Sequence, residues 1–121
     1  MRIILNMELN GLPPTINRMY RGLHGHRYKT KDCLKYQAQT IEKMRSEYEN
    51  LAPSKKNLYL RIMFITNNRR RWDIDNRVKA LQDCLIHAGI IQDDSQIQIL
   101  HLEKKLGSHD VTQLTLRELD E

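Results

Sequence analysis

Cysteine is scarce in this chain: Cys33 and Cys84 are the only two in 121 residues, and they do not form a Cys-x-x-Cys pair. A disulfide scaffold is excluded, and two reduced, buried thiols are expected. Glycine is equally sparse, with five residues scattered along the chain. No phosphate-cradling glycine loop is present, and no Ser-His-Asp signature either, so nucleoside-triphosphate chemistry is not indicated. His24-Gly-His26 has a spacing that a metal could use. No second Cys or His pair completes a zinc site, and a basic loop is the simpler reading. No apolar run approaches the roughly 18 residues of a membrane span. Asn6 and Glu8 interrupt the opening segment where a signal peptide would be apolar. A cytoplasmic protein with no membrane partner is expected, and nothing in the chain repeats or has low complexity.

What is present is enough for one folded unit. An apolar share of 40% over 121 residues suits a single domain, residues 1–121, with one core. The net charge of +5 is unevenly spread. Residues 1–60 hold 11 Lys and Arg against 5 Asp and Glu, a net of +6, while residues 61–121 hold 9 against 10, a net of −1. Arg18, Arg21, Arg27, Lys29, Lys31 and Lys35 are opposed only by Asp32, and Tyr20, Tyr28 and Tyr36 are interleaved with them. Cations that hold phosphates, with rings that stack on bases, suit a nucleic-acid surface. A solvated basic loop accounts for the same residues.

Ile3, Leu5, Met7 and Leu9 alternate with period two and predict a half-buried strand, which Gly11-Leu-Pro-Pro ends. A long basic loop runs to about Thr30. From there Leu34, Ala38, Ile41, Met44 and Tyr48 mark an amphipathic helix of about five turns, capped by Thr30 with Asp32 in its first turn. Leu58 to Ile65 is apolar on both faces and predicts a strand in the centre of a sheet. Ile74, Val78, Leu81, Leu85 and Ala88 mark a second helix that stops at Gly89. In Gln96 to Lys105 the apolar phase switches between Ile99 and Leu100, which suggests a bulge. A last strand carries Leu114 and Leu116. The order β-α-β-α-β-β predicts an α+β fold: a small mixed four-stranded sheet with two main helices.

The densest chemistry lies in Arg69-Arg70-Arg71-Trp72-Asp73-Ile74-Asp75-Asn76-Arg77-Val78-Lys79. Two carboxylates one residue apart at a strand-to-helix junction can face one hard cation such as Mg2+, which binds through one or two carboxylates, waters and substrate phosphates. On spacing alone an ordinary helix cap explains either carboxylate equally well. Three arginines precede the pair, and Asp75, Lys79 and Asp83 follow at helical spacing as one polar stripe. Lys79 can pair with Asp75 on the surface or point at a phosphate. A second acidic pair, Asp93-Asp94, lies in Ile90-Ile-Gln-Asp-Asp-Ser-Gln-Ile, which in isolation is a polar turn.

Together these segments form a longer pattern: D-x-D-N-x-x-K, then D-x-L, a Gly-Ile step, D-D-S-Q-I and a distant lysine. In this chain they are Asp73, Asp75, Asn76, Lys79, Asp83, Leu85, Gly89, Ile90, Asp93 to Ile97 and Lys104. Upstream, Pro13-Pro14-Thr-Ile-Asn17-Arg18-Met-Tyr20 adds a second block in register. The chain thereby resembles the RusA family of Holliday junction resolvases: small, homodimeric, Mg2+-dependent bacterial and prophage endonucleases. That resemblance implies Asp73, Asp75 and Asp94 as metal-site carboxylates and Lys79 as a lysine needed for cleavage. Asn76, Asp83, Asp93 and Lys104 match the pattern with roles less firmly defined. Trp72 departs from it, standing where a basic residue or proline is often found, and is read as packing in preference to stacking on a base.

By the same resemblance the substrate is four-way junction DNA. It is cut in two strands of like polarity to leave 5′-phosphate and 3′-hydroxyl ends in recombination and repair, and a twofold dimer supplies the two sites. Arg18, Arg21, Arg27, Lys29, Arg69, Arg70, Arg71, Asn76 and Lys104 are the expected DNA contacts, with the protein nucleoid-associated when acting. Two rival readings stand beside this one. The first is a less selective nuclease for branched or flap DNA; the second is a non-catalytic module that only binds junctions.

Overall fold

The computed structural model describes residues 2–22 and 25–120. Four strands form one mixed sheet in the order β1-β6-β4-β5, where β1 is Arg2–Asn10, β4 Leu58–Thr66, β5 Ile97–Leu106 and β6 Val111–Glu118. β6 pairs antiparallel with both β1 and β4, and β4 pairs parallel with β5. The parallel pair needs a crossover, which α3 (Val78–His87) supplies. The expected α+β class and the order of the main elements are both present.

β4 is central, as its two apolar faces require. Leu58, Leu60, Ile62 and Phe64 are wholly buried on one face, against α3 residues Val78, Leu81 and Leu85 and the inward residues Leu5, Met7, Leu114 and Leu116. Truncation of a buried Phe such as Phe64 costs about 3–5 kcal/mol. The other face of β4, Tyr59 to Ile65, is half-buried. β5 carries a bulge, but earlier than the phase switch expected between Ile99 and Leu100: Leu58 pairs with Ile97 and Tyr59 with Ile99, which leaves Gln98 unmatched and puts Ile97 and Ile99 on opposite faces. β1 has a similar irregularity between Ile3 and Leu5. It turns Ile4 into the core and leaves Ile3 half exposed, a departure from strict alternation.

α2 (Lys31–Glu47) begins where expected, with the Thr30 side chain accepting from Cys33 N at 3.2 Å. Its buried residues are Cys33, Gln37, Thr40 and Met44, whereas Leu34 is 52% exposed. The apolar stripe read from Leu34 and Ala38 is therefore displaced by one residue over the first turns. The reason is what the helix covers: its first half packs on Met19 and Ala80, with Gln37 receiving Lys29, and needs small or polar residues. Tyr36 bridges to the main core, which Ile41 and Met44 in the second half and Tyr48 at the C-cap also meet.

The segment read as a basic loop holds more order than expected. A single turn, α1 (Ile16–Met19), leads into a hairpin of β2 (Tyr20–Arg21) and β3 (Tyr28–Lys29). Met19 is completely buried, and Thr30 ties the base of the hairpin by donating from N to Met19 O at 2.9 Å and from Oγ1 to Arg18 O at 2.8 Å. Gly22 has φ +113°, and a Cβ there would meet His26 O at 2.0 Å. Only glycine fits that position. His24 lies outside the described residues. Cys33 and Cys84 are free and buried, as expected. No described helix is long and apolar enough to cross a membrane.

Candidate active site

The Asp73 to Lys79 segment leaves β4 through an exposed run of arginines and becomes helical in two steps: a 3-10 turn, Ile74–Arg77, and then α3. Asp73 occupies the N-cap position with extended backbone, yet its side chain makes no cap hydrogen bond. Asp75 sits in the first turn, and both carboxylates are exposed. The capping role that spacing allowed is thus not taken up by Asp73.

Lys79 follows one turn after Asp75. Its Nζ lies 3.0 Å from Asp83 Oδ1 on the same helix and 3.7 Å from Asp94 Oδ2 in the turn before β5. The hydrogen bond to Asp83 holds the Lys79 pKa above its ordinary value, with further support from the Asp83 and Asp94 charges, so the ammonium stays protonated. Asp83 is itself buried. An ion pair with one buried partner fixes the lysine's direction more firmly than a surface pair does.

Asp93 and Asp94 divide their roles. Asp93 caps the 3-10 turn Asp94–Gln96, accepting from Ser95 N at 3.1 Å, while Gln96 Oε1 accepts from Gln92 N and Asp93 N. That hydrogen bonding lowers the Asp93 pKa. The same Gln96 donates to Ser54 O and Lys56 O, so the turn is clamped on both sides. Asp94, carried by this clamp, has its carboxylate free to face Lys79.

Trp72 packs, as read from the sequence: its ring meets Phe64 edge-on with centroids 5.5 Å apart. Two cations lie against it, Lys104 at 4.9 Å and Arg77 at 5.1 Å, and Lys104 Nζ also donates to Trp72 O at 2.6 Å. Arg69, Arg70, Arg71, Trp72, Lys104 and Lys105 line a groove of about 360 Å³. The arginine run and the distant lysine, separate in sequence, thus share one basic wall.

Arg77 escaped the sequence reading. It reaches across to donate to Pro13 O, which brings the Pro-Pro block beside the Asp73–Lys79 turn. Its Nε is buried without a hydrogen-bond partner among the described residues, and burial together with Arg18 nearby lowers its pKa. Its place inside the D-x-D-N-x-x-K block was the available signal. The remaining cations group around the hairpin: Arg27 lies 5.3 Å from the Tyr20 ring, and Lys29 donates to Gln37. Asn76 is half-buried in the turn, with its backbone N donating to Asp73 O.

Among the described residues no three His, Cys, Asp or Glu side chains gather into a metal cluster. Asp94 is turned onto Lys79, so it does not complete a triad with Asp73 and Asp75. The donor chemistry still suits a hard divalent cation. Asp73 and Asp75 are exposed and make no ion pair among the described residues, and such an ion requires only one or two carboxylates beside water and phosphate.

Comparison with known proteins places the chain in a family. A family model described as endodeoxyribonuclease RusA matches residues 11–117. A crossover junction endodeoxyribonuclease RusA of Aquifex aeolicus (strain VF5) is 32% identical over 103 residues, 84% of this chain and 81% of that protein. A protein of the same name from Enterobacteria phage HK97 is 31% identical over 84 residues, 69% of each chain.

Proposed function

This chain belongs to the endodeoxyribonuclease RusA family, and we propose that it resolves four-way DNA junctions by paired, Mg2+-dependent cuts in recombination and repair. It is an endonuclease that hydrolyses DNA, the activity its relatives are named for. The observation that carries the finer reading is Lys79, held between Asp83 and Asp94 one turn beyond the exposed Asp73 and Asp75.

A phosphodiester resists hydrolysis because its charge repels the nucleophile and its alkoxide leaves poorly. Asp73 and Asp75 are the residues that would hold Mg2+, joined by Asp94 once its carboxylate turns from Lys79. The chemistry supplied by that ion when bound is a lowered pKa for water and charge compensation at the scissile phosphate. Lys79 adds a fixed positive charge toward the charge that develops in the transition state. Asp83 keeps that ammonium from swinging into solvent. The groove of Arg69, Arg70, Arg71, Lys104 and Lys105 holds the phosphates of one arm, and Arg18 of α1 with Arg21 and Arg27 of the hairpin hold another. Two such sites in a twofold homodimer cut strands of like polarity. The protein then works in the cytoplasm, on the nucleoid.

The test is cleavage of end-labelled four-way, three-way, flap and linear DNA by the purified chain, with and without Mg2+. Paired cuts confined to the four-way junction and dependent on the ion are expected. Equal cutting of every branched form establishes the less selective nuclease instead, and tight junction binding without cutting establishes a binding module.

A further inference from the structure

The β2–β3 hairpin presents two different faces. Tyr20 and Lys29 are cross-strand partners whose side chains turn inward, Tyr20 onto Met19, Cys33 and Ala80, and Lys29 onto Gln37. Alternation along each strand sends the other cross-strand pair, Arg21 and Tyr28, outward. Tyr28 is 62% exposed, and no other aromatic ring among the described residues is as open to solvent. Tyr20 carries Arg27 on its ring, and Trp72 carries Phe64, Arg77 and Lys104. Tyr28 has no aromatic or cationic partner of this kind among the described residues. Its ring is therefore a free stacking surface.

That ring borders a cleft of about 310 Å³, lined by Arg21, Tyr28, Thr30, Lys31 and Asp32, between the hairpin and the start of α2. The volume lies at the low end of the roughly 300–1,000 Å³ of small-molecule sites, enough for one nucleotide and not for a run of them. The chemistry of the lining is divided in the way a nucleotide is divided. A flat ring serves a base, two cations serve a phosphate, and Asp32, which can only accept, suits an exocyclic amino group of a base. Thr30 anchors the wall on the α2 side, since its hydroxyl is already engaged with Arg18 O and Cys33 N.

We propose that this cleft is a subsite for a single unpaired nucleotide, with its base stacked on Tyr28 and its phosphate held by Arg21 and Lys31. Bases within a duplex are stacked on their neighbours and offer only their edges, so the free face of Tyr28 is of use only where a base has left the stack. A branch point is where such a base is cheapest to obtain. The subsite thereby gives the protein a preference for branched or single-stranded DNA over linear duplex, beyond what phosphate contacts provide. The choice of a junction as substrate rests on the reading in the preceding subsection; the existence of the subsite does not.

The two are tested apart by measuring binding in EDTA, where cleavage plays no part. Fluorescence anisotropy with a labelled mixed-sequence single strand, the corresponding linear duplex and a four-way junction compares the wild-type chain with Tyr28→Ala and Tyr28→Phe. Tyr28→Ala should weaken single-strand and junction binding by about tenfold while duplex binding changes by less than about twofold, because only the stack is lost. Tyr28→Phe keeps the ring and should bind as the wild type does. Circular dichroism checks the fold, and Arg21→Ala, expected to weaken the single strand more than the duplex, is the second variant should Tyr28→Ala misfold. Equal losses on single strand and duplex, or no loss on either, overturn the subsite. A wild-type chain that fails to cut junctions in Mg2+ overturns the proposed function and leaves this binding comparison intact.

Discussion

Lys79 Nζ stands 3.7 Å from Asp94 Oδ2 within one chain, although the rest of α3 beyond Lys79 and its exit lie between them. α3 is only ten residues, about 15 Å. After it, Gly89 at φ +75° reverses the chain, and buried Ile90 and Ile91 draw the return segment back along the helix. The long lysine side chain closes the remaining distance. Delivery of Asp94 to its own subunit's site is thus favoured over exchange between partners. Mixing Asp73→Asn protein with Asp94→Asn protein should then give no nicking of a four-way junction, since each subunit carries one lesion. Nicking in the mixture, with neither variant active alone, would show that the site is shared.

The carboxylates Asp73, Asp75 and Asp94 should each be needed for cutting and dispensable for binding. Replacement by Asn removes a negative charge that would hold the cation and that also repels the DNA backbone. Each variant should lose at least about a hundredfold in cleavage rate, the scale of one electrostatic element in a transition state. Junction affinity should hold or rise. Near-normal cleavage by any one of them removes that residue from the site.

The element order, the central strand and the acidic blocks were legible in the sequence because they rest on local signals. The two apolar faces of Leu58–Thr66 determine a central strand, and the D-x-D spacing puts both carboxylates at one junction. α2 was misjudged in its first turns because periodicity measures apolarity, whereas Gln37 and Cys33 are inward for reasons of partnership and size. The hairpin at Tyr20 to Lys29 gave no period at all: two-residue strands are too short for one, and its order comes from Met19 and Thr30. Likewise the contacts of Arg77 with Pro13 and of Lys104 with Trp72 join residues far apart in the chain, which no local pattern records.

Thr30 joins two elements through one hydroxyl, donating to Arg18 O and accepting from Cys33 N. Thr30→Ala should destabilise the protein by about 1–2 kcal/mol, the usual cost of a lost cap. Thr30→Ser keeps both bonds and should recover most of that loss. Urea unfolding monitored by circular dichroism gives the comparison. Equal destabilisation by Ala and Ser would assign the effect to the methyl group's packing.

Alkaline pH should weaken the fold. Burial, with the Asp83 charge in second place, pushes the Cys84 thiol from 9.0 up to about 12, and burial raises the Cys33 thiol as well. Above pH 9 the unfolded chain releases these protons while the folded chain keeps them. Fewer protons on the unfolded state mean that stability falls as pH rises, by about 1.4 kcal/mol per pH unit for Cys84 between pH 9 and 12. Denaturation midpoints at pH 8 and pH 10 measure the slope, and Cys84→Ala should flatten it. An unchanged slope in that variant would assign the effect to another group.

Salt should weaken junction binding steeply, because each phosphate neutralised by a cation releases condensed counterions. The slope of log affinity against log salt is about −0.9 for each phosphate contacted in duplex DNA. Arg69, Arg70 and Arg71 are exposed and line one groove with Lys104 and Lys105. If all three face DNA, replacing them together with Ala should reduce the slope by up to about 2.7, in line with the loss of three such contacts. Lys104→Ala should act more weakly on the slope, because its ammonium is already bonded to Trp72 O. The same change removes the cation 4.9 Å from the only tryptophan in the chain. Lys104→Ala should therefore shift the intrinsic fluorescence of the free protein, which the arginine substitutions should leave nearly unchanged. A triple-arginine variant whose salt slope equals that of the wild type would show that the run points away from DNA, and the groove would lose its role.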